Sequence, residues 1–310
     1  MTPLPTAWTA LLNPAAGRGR ARALLPRVAE ALGNARDARG LDVDVVVSAS
    51  PADMLERAAA AFAAGRGVVA CGGDGTVGAL AGIAAEAAGT LAVVPVGSGN
   101  DFARHLGIPR DDVDAAVALL LAGEVTAVDL GRATAADGTT AWFTTVANTG
   151  FDAEANRWAN TVDTVSGTPL YVAATLRTLA RYRPQRFRIT VDGEVHELDA
   201  WLVAIGNTRT YASGMAITPG ASVRDGALDV CVVGPVPRRE FLTTFPKVFS
   251  GTHVDHPQVH TWRAHTEVRV DGTGDDELWA SGEHLGPLPA TLVPAPGALR
   301  VVVPRDATFA

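Results

Sequence analysis

The 310-residue sequence has almost no lysine: Lys247 stands alone against 25 arginines. This scarcity excludes several chemistries. A G-x-x-x-x-G-K-[ST] loop needs a lysine beside the β- and γ-phosphates, a protein kinase needs one on its third strand, and a Schiff-base enzyme needs one as nucleophile. Lys247 sits in Phe245-Pro246-Lys247-Val248, outside all three contexts. Any phosphate handled here must meet backbone amides, arginine or metal. Cysteine is equally scarce. Cys71 and Cys231 both lie in apolar, strand-like runs and supply neither a four-cysteine zinc site nor a disulfide framework. No apolar run approaches the ~18 residues of a membrane span. The opening MTPLPTAWTALLNP lacks a basic stretch followed by an apolar one, so the expectation is no secretory leader and a cytoplasmic location. A formal net charge of −7 argues against general nucleic-acid binding, which needs a positive surface.

What the chain does have is apolar content, 47% against 19% charged residues, enough for a large core. Its length favours two domains. Over residues 1–123, strand and helix signals alternate: strands at Trp8–Asn13, Val43–Val47, Val68–Cys71 and Leu91–Val96, and helices at Ala21–Leu32, Pro51–Ala64, Val77–Ala88, Phe102–Leu106 and Asp111–Leu121. That rhythm predicts an α/β domain with a parallel, Rossmann-like sheet, whose ligands bind at the carboxyl ends of the strands. Those ends carry NPAAGRG, SAS, GGDGT and GSGND, all small and polar. From about residue 124 to 303 the runs become β-branched and alternating, punctuated by Asp137-Gly138, Asp192-Gly193, Asp225-Gly226 and Asp271-Gly272. These predict a larger, mostly antiparallel β domain with tight turns, interrupted by helical stretches at Pro169–Tyr182 and Arg238–Phe249. Residues 304–310 form a tail. The cleft between the two domains is the natural place for an active site.

The sharpest chemical signal is Val68-Val69-Ala70-Cys71-Gly72-Gly73-Asp74-Gly75-Thr76, a strand ending in glycines before a helix. Glycines admit a phosphate close to the backbone, and amides at a helix start donate to an anion. A bare carboxylate beside phosphates is repelled, so Asp74 fits if it orders the loop or holds Mg²⁺. A plain strand–helix turn would use the same residues. Gly73-x-Gly75-x-x-Gly78 also matches the dinucleotide fingerprint, but the next strand ends in Pro95-Val96-Gly97-Ser98-Gly99-Asn100, without the acid that would hold a ribose.

Gly72–Thr76 carries the G-G-D-G-T signature shared by NAD kinases, phosphofructokinases and the diacylglycerol/sphingosine-type lipid kinases, and the second loop separates them. Pro95-Val96-Gly97-Ser98-Gly99-Asn100-Asp101-Phe102-Ala103-Arg104 resembles the P-x-G-[TS]-x-N-D-[FL]-A-R segment of the diacylglycerol kinase catalytic domain. Leu12-Asn13-Pro14 with Gly17 and Gly19, Gly150-Phe151-Asp152-Ala153, Gly214–Asp229 and Pro294–Val303 extend the resemblance, in order, over nearly the whole chain.

The resemblance implies an ATP-dependent lipid kinase that uses Mg²⁺ and takes a lipid substrate, most simply diacylglycerol, at a membrane surface, so that a cytoplasmic protein would touch the inner membrane face peripherally. It implies nucleotide contacts at Ser48, at Gly72, Gly73, Asp74, Gly75, Thr76, Val77 and Gly78, and at Ser98 and Asn100. Read on their own, Ser48 is equally a helix cap before Pro51, and Asn100 and Asp101 equally cap the following helix. A Mg²⁺ site is implied at the Asp225 side chain with the carbonyls of Ser222 and Ala227, where the residues alone read as a turn. The family's catalytic D-G-E segment falls on Ser281-Gly282-Glu283: Glu283 is retained as the implied base, with Asp74 as the other catalytic residue, while serine replaces the aspartate. After Thr76 the family often has Asn-Glu, and here Gly78-Ala79 follow Val77. The departures read as a shifted substrate, a slow enzyme or harmless variation; the alternatives are a kinase for a soluble hydroxyl substrate such as NAD or a sugar, or, on the strength of Ser281, a weakened nucleotide- or lipid-binding regulator.

Two weaker patterns complete the reading. His253-x-x-His256-x-x-x-His260 is read as loop rather than metal site, because Pro257 interrupts it. Arg177, Arg181, Arg183, Arg186 and Arg188 around Tyr182 and Phe187 read either as a lipid-facing patch or as solvated positions.

Overall fold

The computed structural model describes residues 3–151, 153–154, 177–178, 181–274 and 276–309. Asp152, Asp275 and most of the helical stretch expected at Pro169–Tyr182 therefore lie outside the described residues. The chain divides into two compact units, Met1–Leu130 with Val223–Asp225 and Pro296–Ala310, and Gly131–Ser222 with Gly226–Ala295.

In the first unit, strands β1 (Ala7–Leu12), β2 (Asp42–Val47), β3 (Gly67–Gly72) and β4 (Thr90–Pro95) pair in parallel in the order β2-β1-β3-β4. The last residues of the final strand, Ala290–Val303, add to β4 through Arg300 opposite Thr90 and Val301 opposite Leu91. Every residue of β3 and β4 is buried, as expected where helices cover both faces of a parallel sheet. Right-handed crossovers dictate that arrangement: α1 (Arg20–Arg39) and α5 (Val113–Ala122) pack together, as do α2 (Pro51–Ala63) and α3 (Asp74–Glu86). A short α4 (Asp101–His105) follows the second glycine loop. Helix α1 runs past the expected end at Leu32 because Gly33-Asn34 only weakens a helix. It stops at Gly40, whose left-handed backbone (φ 65°) lets its amide donate to Arg36 O.

The second unit is antiparallel. One sheet has the order β12-β11-β10-β7-β14-β15, built from β7 (Val146–Gly150), β10 (Leu202–Gly206), β11 (Leu228–Val233), β12 (Val259–Ala264), β14 (Glu277–Ala280) and β15 (Glu283–Pro287). The other pairs β8 (Gln185–Val191) with β9 (Glu194–Ala200) and with β13 (Val268–Gly272), which in turn pairs with the start of the final strand. Residues Gly131–Thr134, the end of β5 (Glu124–Thr134), pair with β6 (Thr140–Phe143).

Period-two alternation along β10 decides what the six-stranded sheet covers. Val203 and Ile205 enter a core with Phe143, Phe187, Leu228 and Val270, whereas Leu202 and Ala204 enter a second cluster with Phe151, Trp201, Met215 and Phe241. Both faces are buried, and the second cluster is roofed by α6 (Arg238–Thr244). The helix expected to reach Phe249 changes to 3-10 winding over Phe245–Phe249, where Pro246 cannot donate an α-helical bond. The Asp271-Gly272 pair, expected as a turn, instead pairs within β13 opposite Arg188 and Phe187, and the bend falls on Thr273-Gly274.

Candidate functional site

In the first unit the carboxyl ends of β1, β2, β3 and β4 lie side by side, and hydrogen bonds tie their loops together. The Asn13 amide donates to Cys71 O at 3.1 Å, the Ser48 amide to Leu12 O at 2.9 Å and the Val96 amide to Gly72 O at 3.0 Å. The Asn13 side-chain amide donates to Thr76 Oγ1 at 2.8 Å, fixing the first turn of α3. Thr76 folds back over Gly72 so closely that a Cβ on that glycine would lie 2.4 Å from the threonine Cβ. Helix α3 begins at Asp74, directly after Gly73, so the amides of Asp74, Gly75 and Thr76 precede the first intrahelical donor, Val77. Amides in this position are the ones a helix offers to an anion.

Asp74 reaches across to the second loop, where its Oδ1 accepts from the Phe102 amide at 3.2 Å at the start of α4. Burial, with the nearby Asp101 carboxylate adding to it, raises its pKa to about 6, against the lowering effect of backbone donors at Asn100, Asp101 and Phe102. An anion held against burial and a second carboxylate gains from a cation nearby, so the residues present suit a divalent metal.

Asn100 takes a left-handed backbone (φ 51°) and makes no side-chain cap to α4. Its amide spans the loop instead, Oδ1 accepting from Gly97 N at 3.1 Å and Nδ2 donating to Gly97 O at 3.0 Å. Asn100 thus shapes the loop. Ser98 projects from it, exposed.

Ser48 does not cap α2. Ser50 does so, accepting from the Asp53 amide at 3.1 Å, and Asp53 returns a bond to the Ala49 amide at 2.9 Å. Ser48 Oγ is buried and has no hydrogen-bond partner among the described residues. A buried hydroxyl in that state gains from a ligand that supplies one.

In the second unit, Ser281 and Gly282 make the two-residue turn between β14 and β15, both with positive φ (49° and 85°), as a type I′ hairpin requires. Ser281 Oγ accepts from the Thr144 and Thr145 amides at 3.2 and 3.3 Å and lies 3.2 Å from Thr145 Oγ1. A carboxylate at this position would receive the same amides. The sequence shows the replaced aspartate but not these partners, which lie more than 130 residues away along the chain. Glu283 opens β15 on the exposed side of the hairpin, yet protein atoms around its carboxyl raise its pKa by desolvation. Ser222, Asp225 and Ala227 lie along the chain just before β11, Asp225 belonging to the first unit and the other two to the second; Asp225 is exposed and Ala227 buried. Among the described residues no group of three or more His, Cys, Asp or Glu converges as a metal site.

Composition gave no hint of the groove in the second unit. Its empty space is about 610 Å³, counting the part open to solvent. Phe151, Leu202, Met215 and Ile217 line it beneath Phe241 and Phe245 of the helical roof. The three histidines separate. His253 is buried against Cys231 and Ile217 O, and burial lowers its pKa, so it stays neutral. His256 pairs with Glu240 at 2.9 Å, and His260 stacks on Trp262. Arg186 and Arg188 are matched across the β8–β9 ladder by Glu197 and Asp199, which makes them solvated strand positions. Both cysteines are free and buried.

Residues 7–133 match the family described as "Diacylglycerol kinase catalytic domain", and residues 145–303 match the "YegS C-terminal NAD kinase beta sandwich-like domain". The chain is 38% identical over 299 residues to the diacylglycerol kinase of Mycobacterium tuberculosis H37Rv, covering 96% of this chain and 95% of that one. It is 27% identical over 242 residues to the diacylglycerol kinase of Bacillus subtilis, covering 77% and 78%. A solved Bacillus anthracis structure superposes with a TM-score of 0.77 at 22% identity over 99% of this chain and 98% of its own, which establishes the fold.

Proposed function

The chain belongs to the diacylglycerol kinase catalytic domain family, and on that premise we propose that it transfers the γ-phosphoryl group of ATP to a lipid hydroxyl, converting diacylglycerol to phosphatidic acid. The observation that carries the reading is the clasp of the two glycine loops. A methyl group on Gly97 would come within 2.4 Å of Gly73 Cα; the Asp74, Gly75 and Thr76 amides, ahead of the first intrahelical donor, follow directly, and the Ser48 hydroxyl, at the end of β2, has no partner among the described residues. Phosphoryl transfer asks chiefly for positioning and charge neutralisation. Small donors on a rigid frame meet that need without lysine.

In this reading the Gly72–Gly78 segment holds the phosphates through the amides of Asp74, Gly75 and Thr76, joined by the hydroxyls of Ser48 and Ser98, while Asn100 keeps the second loop closed. Asp74 holds the catalytic Mg²⁺, and the Asp225 carboxylate with the Ser222 and Ala227 carbonyls holds a second, structural one. Mg²⁺ bound at Asp74 would neutralise charge on the phosphoryl oxygens. Glu283 accepts the proton of the lipid hydroxyl as its oxygen bonds to the γ-phosphorus and the bond to the β-phosphate oxygen breaks, releasing ADP. Its raised pKa makes it a stronger acceptor than an ordinary carboxylate. The apolar groove of the second unit receives acyl chain. Among the described residues no helix is long and apolar enough to cross a membrane, and the enzyme works from the cytoplasm as a peripheral visitor to the inner face.

The test is a radiolabelled ATP assay against diacylglycerol, sphingoid base, NAD and sugar phosphates with Mg²⁺. Label transferred to diacylglycerol supports the proposal. Transfer only to NAD or a sugar phosphate assigns a soluble substrate, and no transfer with ATP still bound assigns a regulator.

A further inference from the structure

The apolar row on the roof of the groove continues beyond the residues that line it. Along it Phe241, Phe245 and Phe249 follow at four-residue spacing, their rings 6.0 and 6.5 Å apart. Exposure rises along this row, from 8% at Phe241, through a half-buried Phe245, to 56% at Phe249. The apolar stripe therefore runs without a break from inside the groove to the solvent. Leu242, 46% exposed, stands beside it. Six large hydrophobic side chains are exposed among the described residues, and two of them fall within this one short segment, so the clustering is not the ordinary scatter of surface apolar groups.

Charge identifies the partner. Arg238, Arg239 and Lys247 are exposed on the same segment, which carries a single acid, Glu240, already engaged by His256. Arg238 also donates to Tyr182 O at 3.2 Å, which brings the exposed Arg183 alongside. This local cationic excess lies in a chain whose formal net charge is −7, and it includes the sole lysine. Exposed aromatic and aliphatic side chains flanked by cations suit the interface of an anionic bilayer, where the apolar groups enter the headgroup boundary and the cations meet lipid phosphates. A folded protein partner would offer no reason for the stripe to continue into an apolar groove.

We propose that Arg238–Phe249 is the surface on which the enzyme docks on anionic membranes, with Leu242 and Phe249 entering the interface and Arg239 and Lys247 contacting anionic headgroups, so that the groove beneath opens toward the lipid. The inference rests on the lipid-kinase reading only for what then enters the groove. Neither Leu242 nor Phe249 lines the groove, which keeps docking separable from turnover.

The experiment floats the full-length protein with vesicles of phosphatidylcholine alone or mixed with phosphatidylglycerol, without ATP, and in parallel measures phosphorylation of a short-chain diacylglycerol in solution. The expected result is binding that prefers the anionic vesicles. Leu242→Asp with Phe249→Asp should lower the bound fraction about tenfold, and Arg239→Gln with Lys247→Gln should abolish the anionic preference, while both keep short-chain turnover. Variants that bind vesicles like the wild type overturn the docking surface, as does a wild type that ignores vesicles. Parallel loss of short-chain turnover in both variants overturns it too, because the segment would then serve the fold or the groove. A wild type that binds anionic vesicles through these residues but phosphorylates no diacylglycerol upholds the docking surface and removes the kinase reading.

Discussion

Gly97 and Gly73 touch backbone to backbone: a Cβ on Gly97 would lie 2.4 Å from Gly73 Cα and 2.8 Å from Asn100 Oδ1. Neither neighbour is the flexible end of a long side chain, so the contact cannot be relieved by a rotamer change. Gly97→Ala should push the second loop off the first and cost ~1–3 kcal/mol, as overpacking does. The KM for ATP should rise about tenfold. A melting curve and an ATP titration check both, and unchanged values would mean that the clasp is not needed for nucleotide.

Ser48 offers the opposite case, since its hydroxyl is buried without a partner among the described residues. Ser48→Ala removes an unsatisfied group, so the nucleotide-free protein should melt at the same temperature or slightly higher. The KM for ATP should nevertheless rise about fivefold, the equivalent of roughly one hydrogen bond of 0.5–1.5 kcal/mol. A clear drop in the nucleotide-free melting temperature would show that the hydroxyl is structural.

Asp74 links the site to pH. Its carboxyl releases its proton near 3.8 in the unfolded chain and near 6 in the folded one. Between those values the folded state binds more protons, so stability contributed by this residue is present at low pH and is lost as pH rises from about 4 to about 6. The loss is at most about 3 kcal/mol. Asp74→Asn should therefore melt higher than the wild type at pH 7.5, with the difference shrinking toward pH 4.5, and should have no kinase activity. A variant that melts lower at pH 7.5 would show the carboxylate to be satisfied as an anion.

Much of this architecture is legible in the sequence because local rules and tertiary demands agree. The fully buried β3 and β4 are continuous apolar runs, and Gly72-Gly73-Asp74 announces the end of a strand and the start of a helix. What stays hidden depends on distant partners. Ser50 directly before Pro51, with Asp53 three residues on, is a local cap signal, but nothing near Ser48 says that its own hydroxyl is buried without a partner among the described residues. Nothing near Ser281 reveals that its hydroxyl receives the Thr144 and Thr145 amides, since only sheet pairing brings β14 beside β7. The groove is hidden for the same reason. Phe241, Phe151 and Met215 come from separate stretches and read singly as core.

The Ser281 contacts bear directly on whether losing the family aspartate weakens the enzyme. A serine that accepts two amides inside a type I′ turn makes contacts of the kind a carboxylate there would make. Ser281→Asp, with a residue favoured in such turns, should leave turnover within about threefold of the wild type. Ser281→Ala gives up the acceptor at a positive φ that serine already bears, for a cost of ~1–3 kcal/mol, and kcat should fall with little change in the KM for ATP. A hundredfold gain from aspartate would instead identify a lost catalytic group.

Glu283 is the residue on which the chemistry itself is tested. It stands at the first position of β15, set by the Ser281-Gly282 turn, and desolvation holds its pKa above the usual carboxylate value. A general base is worth roughly 10²–10⁴ in rate. Glu283→Gln keeps the shape and removes the acceptor, so kcat should fall by about that factor while the dissociation constant for ATP stays unchanged. The wild-type rate should decline at low pH as Glu283 takes up a proton, with a midpoint above that of an ordinary glutamate. The residual activity of the glutamine variant should lack that limb. Equal loss of turnover and ATP binding, or an acidic limb that survives the substitution, would make Glu283 a structural residue and move the base elsewhere.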